Sequence, residues 1–446
     1  MNKAGETACS SCAPIILYAV DGLEWSVMQP LLEQGRMPVM AGLMQRGTYA
    51  YLDTIEPTFS PVIWTSMATA KLPKDHGIEG FVYRVGPGEP GQRFYTSAHR
   101  KTKALWNILS DYGRTVHCLG WWITYPAEPI QGVMVAQTNT TAVVHDSRKA
   151  LHKGTVLRGV EDQVYPPERQ DEVMDILDAI DASMDSVLAD MFGPIRRSKS
   201  KFTRVLWEQS QWAFRADALY LEVAKTLLAT GAPFDMLAVY IGGTDVAAHR
   251  FWQYTYPQQF EHPPNAEEIA AFGKVIPDYY AYVDRALGEL IAAAPPDTIV
   301  IVVSDHGTHA VNSEHEFQMT DEPKMRLSAD HMDAPPGVFI AAGPNIARHA
   351  RSSGDAMVPP DRSHPVGRAI DLLPTLLALQ GIPLGRDFAG KPMLGVIDLE
   401  FLRKVPIRSV NTHDDRVWVA AREARMREAG DRAERLEQLR SLGYIK

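Results

Sequence analysis

Short runs of near-continuous apolarity punctuate the chain at Ile15–Val20, Val116–Leu119, Val133–Ala136, Met236–Ile241, Thr298–Val303 and Val338–Ala342. Runs of this length without polar alternation are expected of strands covered on both faces. Between them, apolar residues recur at helical spacing around Trp25–Arg46, Lys103–Tyr112, Glu267–Ala293 and Ile370–Leu379. Strands alternating with helices predict an α/β fold: a doubly wound, mostly parallel sheet with helices on both faces.

Residues 141–233 break that alternation. No strand pattern stands out there, whereas Val173, Ile176, Leu177, Ile180, Met184, Leu188 and Met191 recur at helical spacing, with Asp171, Asp175, Asp178 and Asp185 opposite them. The segment reads as a helical insertion or cap between two core stretches, 14–140 and 234–395. A basic run inside it (Arg196, Arg197, Lys199, Lys201) reads as a solvated loop, with an anion-steering rim as the bolder alternative. Residues 396–446 form a charged, helical C-terminal extension ending in Leu442-Gly443-Tyr444, suited to packing on the surface or at a subunit contact.

A chain of 446 residues exceeds what one typical core needs, in line with a core plus an insertion. Net charge −9 argues against a partner held by phosphate neutralisation, so no nucleic-acid polymer is expected. A small phosphorylated substrate stays open, because bound cations reverse the local field. Three cysteines are too few for a disulfide framework, and Cys9-Ser-Ser-Cys12 reads as part of a disordered polar tail and not as a zinc or redox site. The run from Pro14 to Val20 is too short for a signal sequence, and nothing approaches the ~20 apolar residues of a membrane span. The expectation is a reducing, cytoplasmic setting.

Candidate chemistry sits at element boundaries. Asp21 follows the first strand, and Asp305 and His306 follow the strand ending at Val303, where open α/β sheets place ligands. Asp245 and His249 lie four positions apart after the strand ending at Ile241, on one face of a predicted helix. Taken singly, each has a plain reading as a turn, a cap or a surface pair. Ser60, followed by Pro61, reads as the N-cap of a helix over VIWTSMATA, where free N–H groups favour an anion. It is the candidate nucleophile. Thr58 is the fallback, and Thr65 and Ser66 lie inside the helix. If these ends converge, they form a carboxylate and imidazole cluster able to hold two metal ions.

The stretches ILYAVDGL, FSPVIWTSMATAKLPKDHGIEGF, YIGGTDVAAH, VIVVSDHG, DHMDAPPGVFIAAGPNI and DLLPTLLALQGIPLGRDFAGKPM together resemble the alkaline phosphatase superfamily. The resemblance is to its type I phosphodiesterase/nucleotide pyrophosphatase branch, in its bacterial members. It covers roughly 14–140 and 234–395 and leaves the middle segment and the tail outside. It implies an alkaline-phosphatase-like catalytic core and hydrolysis of small phosphate esters through a phospho-serine on Ser60. It also implies two divalent ions, zinc or alternatively manganese. Asp21, Asp305, His306 and Ser60 would hold one ion, and Asp245, His249 and His331 the other, with His364 a weaker substitute for His331. Phosphomonoesterase or phosphotransferase/mutase activity of the same superfamily is the alternative. The chain departs from the nucleotide-directed pattern at Phe81, where those enzymes carry an asparagine after the HGI turn. It has no sulfatase signature around Ser60. His76 belongs with the turn after the nucleophile helix, His309 and His315 read as loop histidines, and the aromatics of Gly120-Trp121-Trp122-Ile123-Thr124-Tyr125-Pro126 as core.

Overall fold

The computed structural model describes residues 9, 12–84, 92–137, 156–158, 160–193, 201–311, 327–333, 335–348 and 360–426. Eight strands form the central sheet: β1 (Ile15–Val20), β2 (Thr48–Leu52), β3 (Val116–Leu119), β4 (Met134–Val135), β5 (Val164–Tyr165), β6 (Met236–Ile241), β7 (Ile299–Val303) and β8 (Gly337–Ala342), in the order β2-β8-β7-β1-β6-β3-β4-β5. The run β7-β1-β6-β3-β4 is parallel, while β8 lies antiparallel to both β7 and β2, and β5 to β4. The sheet is thus mostly parallel, as its unbroken apolar strands require.

Alternate residues of each central strand feed two separate cores. Ile16, Tyr18 and Val20 of β1 join Leu237, Val239 and Ile241 of β6 on one face. Ile15, Leu17 and Ala19 join Met236, Ala238 and Tyr240 on the other. On the first face lie α1 (Trp25–Glu33), α3 (Gln211–Ala229), α4 (Gly243–Thr255) and α5 (Val275–Ala293); α2 (Ser60–Thr69) and α6 (Leu372–Leu379) cover the second. The helical patterns split where a breaker sits. Trp25–Arg46 becomes α1 and a second helix starting at Pro38, and Glu267–Ala293 divides at Gly273.

Three sequence expectations differ from what is seen. Residues 141–233, read as free of strands, supply β5 at the sheet edge and α3, a largely buried helix of the core layer. Flanked by Gln163 and Pro166, β5 lacks the apolar neighbours that made the equally short β4 visible. β2, at the far edge, is only partly buried and was likewise not visible as an apolar run. Cys9 and Cys12, read as tail, are joined by a disulfide: the Cys12 amide donates to the Cys9 carbonyl and brings the two Cα atoms to 5.4 Å. Among the described residues no helix is long and apolar enough to cross a membrane. Arg196, Arg197, Lys199, the Lys201 side chain, His315 and residues 427–446 lie outside the described residues.

The C-terminal extension is partly helical, with Leu399–Lys404 and residues 416–426, and it grips the body. Lys103 is paired with Asp111 and with Asp415, each at 2.6 Å. Beyond α2, His76 is fully buried. Its Nδ1 accepts from the Ile78 amide at 3.1 Å, so Nε2 carries the proton and donates to Ser66 Oγ at 2.9 Å. Burial, helped by the charges of Arg100 and Lys101, pushes this imidazole down to about 3. The folded form therefore stays neutral where an unfolded chain, below about pH 6.5, takes up a proton. Stability from this group is complete above that pH and falls as the pH drops towards 3. Urea unfolding at pH 7 and pH 5 should show wild type losing about 2 kcal/mol more than His76→Gln over that interval; equal losses would refute a neutral buried His76.

Candidate active site

Three adjacent parallel strands deliver the acidic groups to one edge. β7, β1 and β6 are in register, with Ala19 opposite Val303 and Val20 opposite Ile241. Their carboxyl ends therefore lie side by side, and the residues that follow them (Asp21, Gly242–Asp245 and Ser304–His306) meet above the sheet. The chain turns away after β1 through Gly22, at φ +65, where an added Cβ would press on Asp245 at 3.2 Å. That close approach is what a glycine permits.

Asp21, Asp305 and His306 form one cluster and Asp245, His306 and His331 a second, each with its ligand atoms within 4.8 Å of one another. His306 lies between them: its Nε2 is 3.4 Å from Asp21 Oδ1 and 3.3 Å from Asp305 Oδ2, and its ring stacks on His331 at 4.1 Å. His249 Nε2 is 3.3 Å from Asp245 Oδ1, and the His249 ring meets that of His331 at 5.1 Å. The structure thus brings together Asp21, Asp245, His249, Asp305, His306 and His331. His364 is elsewhere, exposed and paired with Asp361. His309 contacts the Ala310 and Met332 carbonyls.

Ser60 is the first residue of α2, with Phe59 in the capping position and no side-chain cap bond. The expected N-cap is thus displaced by one residue, and the hydroxyl is not consumed in capping. Trp64, one turn on and on the same helical face as Ser60, donates from its indole to Asp21 Oδ2 at 3.0 Å. The Ser60 end of α2 is thereby tied to the acidic cluster. Thr58 is buried, with an unpaired hydroxyl. Thr65 and Ser66 spend theirs on the Pro61 and Val62 carbonyls.

The donor set fits cations. The His306 Nδ1 lies 2.9 Å from the Gly307 carbonyl and the His249 Nδ1 lies 2.6 Å from the Ala329 carbonyl, so Nδ1 is the donating nitrogen of each ring and Nε2 is turned inward. Those inward nitrogens face carboxylate oxygens, and Asp21 Oδ1, Asp245 Oδ1, Asp305 Oδ2 and His306 Nε2 have no hydrogen-bond partner although buried. Buried carboxylate oxygens crowded together need positive charge between them, from protons or from a cation. Oxygen and imidazole donors in such sets suit zinc. Without a cation, burial and then the charge of Asp245 raise the Asp21 carboxyl, and burial, Asp21 and Asp245 raise that of Asp305 well above the usual range.

Several groups that hold this site were not singled out in the sequence. Tyr240 donates to Asp21 Oδ2 at 2.5 Å and accepts from Trp122 at 2.9 Å. Thr244, which the sequence suggests as the cap of α4, lies inside the helix behind the capping Gly242 and donates instead to the Asp21 carbonyl at 2.5 Å. Glu24 accepts from the Ser26 and Thr308 amides, linking the turn after β1 to the one after β7. A tyrosine in the otherwise apolar strand MLAVYI and a tryptophan four positions after Ser60 were the available signals. Trp121 and Trp122 are buried, as expected of core aromatics, but Trp122 also serves this chain of hydrogen bonds.

The profile of the type I phosphodiesterase / nucleotide pyrophosphatase family matches residues 15–361. The chain belongs to that family. The matched span includes the middle segment, which the resemblance left out, and ends before the stretch beginning at Asp371. No curated protein sequence matches the chain. Among solved structures, this family member is similar to wild-type alkaline phosphatase PafA at a TM-score of 0.50 and 10% identity, over 88% of this chain and 100% of that one. It is also similar to human ectonucleotide pyrophosphatase/phosphodiesterase 5 (TM-score 0.45, 12% identity, 88% and 99%) and to the 2-O GAG sulfatase BT1596 (0.47, 14%, 90% and 76%). At such identities the PafA likeness speaks for the fold alone: an alkaline-phosphatase-like α/β architecture.

Because the Asp21 and Asp305 carboxyls are raised, they hold protons more firmly than ordinary carboxyls, and a cation must displace those protons to bind. Calorimetric titration of metal-free protein with zinc, in buffers of different ionisation heat, should show net proton release that grows as the pH is lowered. Identical heats in all buffers would contradict it.

Proposed function

We propose that this phosphoric ester hydrolase is a two-metal enzyme that cleaves small phosphate esters through a phospho-serine on Ser60. The observation that supports this reading most is the meeting of unpaired, buried ligand atoms from three strand ends beside the helix that begins at Ser60. Asp21, Asp305, His306 and Ser60 are assigned to one ion, and Asp245, His249 and His331 to the other. Zinc is the first choice and manganese the second.

The residues of the chain divide the work. A phosphoryl group at the start of α2 is drawn by the helix dipole and the Ser60 amide, because Pro61 has no N–H and the Val62 and Ile63 amides already donate to the Phe59 carbonyl. Ser60 Oγ attacks phosphorus in line with the leaving oxygen; the new O–P bond forms as the bond to the leaving group breaks. Water then attacks the phospho-serine, releasing phosphate or a phosphate monoester and restoring Ser60. Bound divalent cations supply the Lewis acidity that lowers the pKa of the attacking hydroxyl and offsets charge on the phosphoryl oxygens. Trp64 and Tyr240 hold one oxygen of Asp21 and leave the other for the cation. Asp305 and His306 are sealed from solvent, whereas the side chains of Asp245 and His249 keep 16% exposure, so substrate meets the site from the Asp245 side.

Phe81 favours keeping a second reading. Its ring packs near Phe59 at 6.0 Å and Trp122 at 5.6 Å, an apolar surface where nucleotide-directed relatives carry an amide donor. The missing donor weakens a nucleotide-diester preference, which is the ground for the second reading: a phosphomonoesterase or phosphotransferase/mutase. Rates on an aryl monoester and an aryl diester, in ¹⁸O-labelled water, separate these: a hydrolase places solvent oxygen in the released phosphate and a transferase does not. Ser60→Ala should lower kcat on the better ester by at least ~10³-fold while the protein still takes up zinc. Unchanged turnover would remove Ser60 as nucleophile.

A further inference from the structure

Helix α4 presents Asp245 and His249, yet its own start lacks a capping side chain. The capping position is Gly242, and no local group accepts from the first amides. The acceptor comes from another part of the chain. Asp217, on α3 and 1% exposed, takes the Gly242 amide on Oδ1 at 3.0 Å and the Gly243 amide on Oδ2 at 2.7 Å. Tyr279, on α5, donates to the same Oδ2 at 2.5 Å. Gly243 makes this approach possible: a Cβ there would lie 2.3 Å from the Tyr279 hydroxyl oxygen and 2.7 Å from Asp217 Oδ2. A buried carboxylate that takes two consecutive amides fixes both the position and the rotation of the helix start. Asp245 is two residues further on, inside the first turn, and His249 one turn beyond it.

We propose that Asp217 is a positioning residue for the metal centre: from the middle segment of the chain, with Tyr279 holding it, it sets the placement of the Asp245–His249 pair and so the affinity of the ion on that side. The inference rests on the two-cation reading above. It gives α3 a part in the site although no α3 side chain is among the candidate ligands. Partners one layer out from metal ligands change affinity by about 10–100-fold when removed.

A control within the same fold separates positioning from simple stability. Asp284 is also 1% exposed and also takes two consecutive amides, those of Val39 and Met40, at the start of the helix Pro38–Arg46, which carries no candidate ligand. Metal-free full-length protein is titrated with zinc against a chromophoric chelator, giving stepwise constants, and urea unfolding is followed in parallel. Wild type should take up two ions. Asp217→Asn should lower one stepwise constant by about 10–100-fold, Tyr279→Phe should lower the same constant by less, and Asp284→Asn should bind both ions as wild type does despite its lower stability. Should Asp217→Asn fail to fold, Tyr279→Phe alone carries the test. Constants within about threefold of wild type in the Asp217 and Tyr279 variants, or an equal loss in Asp284→Asn, would overturn the positioning role while leaving the two-metal reading intact. Uptake of fewer than two ions by wild type would overturn both.

Discussion

The organising constraint of this protein is mutual repulsion. Asp21, Asp245 and Asp305 stand together at the ends of β1, β6 and β7, with Asp21 and Asp305 removed from water and the His306 ring within 3.4 Å of both. Burying one ionised carboxylate costs several kcal/mol after relaxation, and neighbours of like charge add to that. The arrangement is tolerable when protons or cations fill the gap. The rest of the fold is readable as the means of holding such groups where they would not otherwise stay.

That holding is done in layers. The sheet supplies coarse placement, since three parallel neighbours in register end at the same level. Backbone turns refine it, with Gly22 letting the first turn touch Asp245. Hydrogen bonds then fix individual atoms: Trp64 and Tyr240 on one oxygen of Asp21, the Gly307 and Ala329 carbonyls beside the outer nitrogens of His306 and His249. Each of these takes up an atom that faces away from the gap; Asp21 Oδ1 and His306 Nε2, on the inward side, are left without a hydrogen-bond partner. The same logic extends to α4, whose uncapped start is satisfied by Asp217 from across the core.

The parallel strands and the residues at their ends were legible because their signal is local. Six apolar runs announce buried strands, and a ligand-type residue just past a strand end has a predictable place. Much of what locks the site was not legible. The partnership of Tyr240 with Asp21 spans 219 positions and that of Asp217 with Gly243 spans 26, across different elements, and neither leaves a spacing that a single sequence displays. β5 escaped notice because Gln163 and Pro166 flank it, whereas the equally short β4 sits in the apolar run Val133–Ala136, and β2 because only its ends are buried. The cysteine pair was misread for a related reason. Closing a CxxC depends on a local reversal of the backbone, which composition does not report.

The most direct test of the central claim is anomalous diffraction at the zinc edge from crystals of the zinc-loaded protein. The account predicts two peaks, one bounded by Asp21, Asp305 and His306, the other by Asp245, His249 and His331. A single peak, or none within reach of these six side chains, would contradict it.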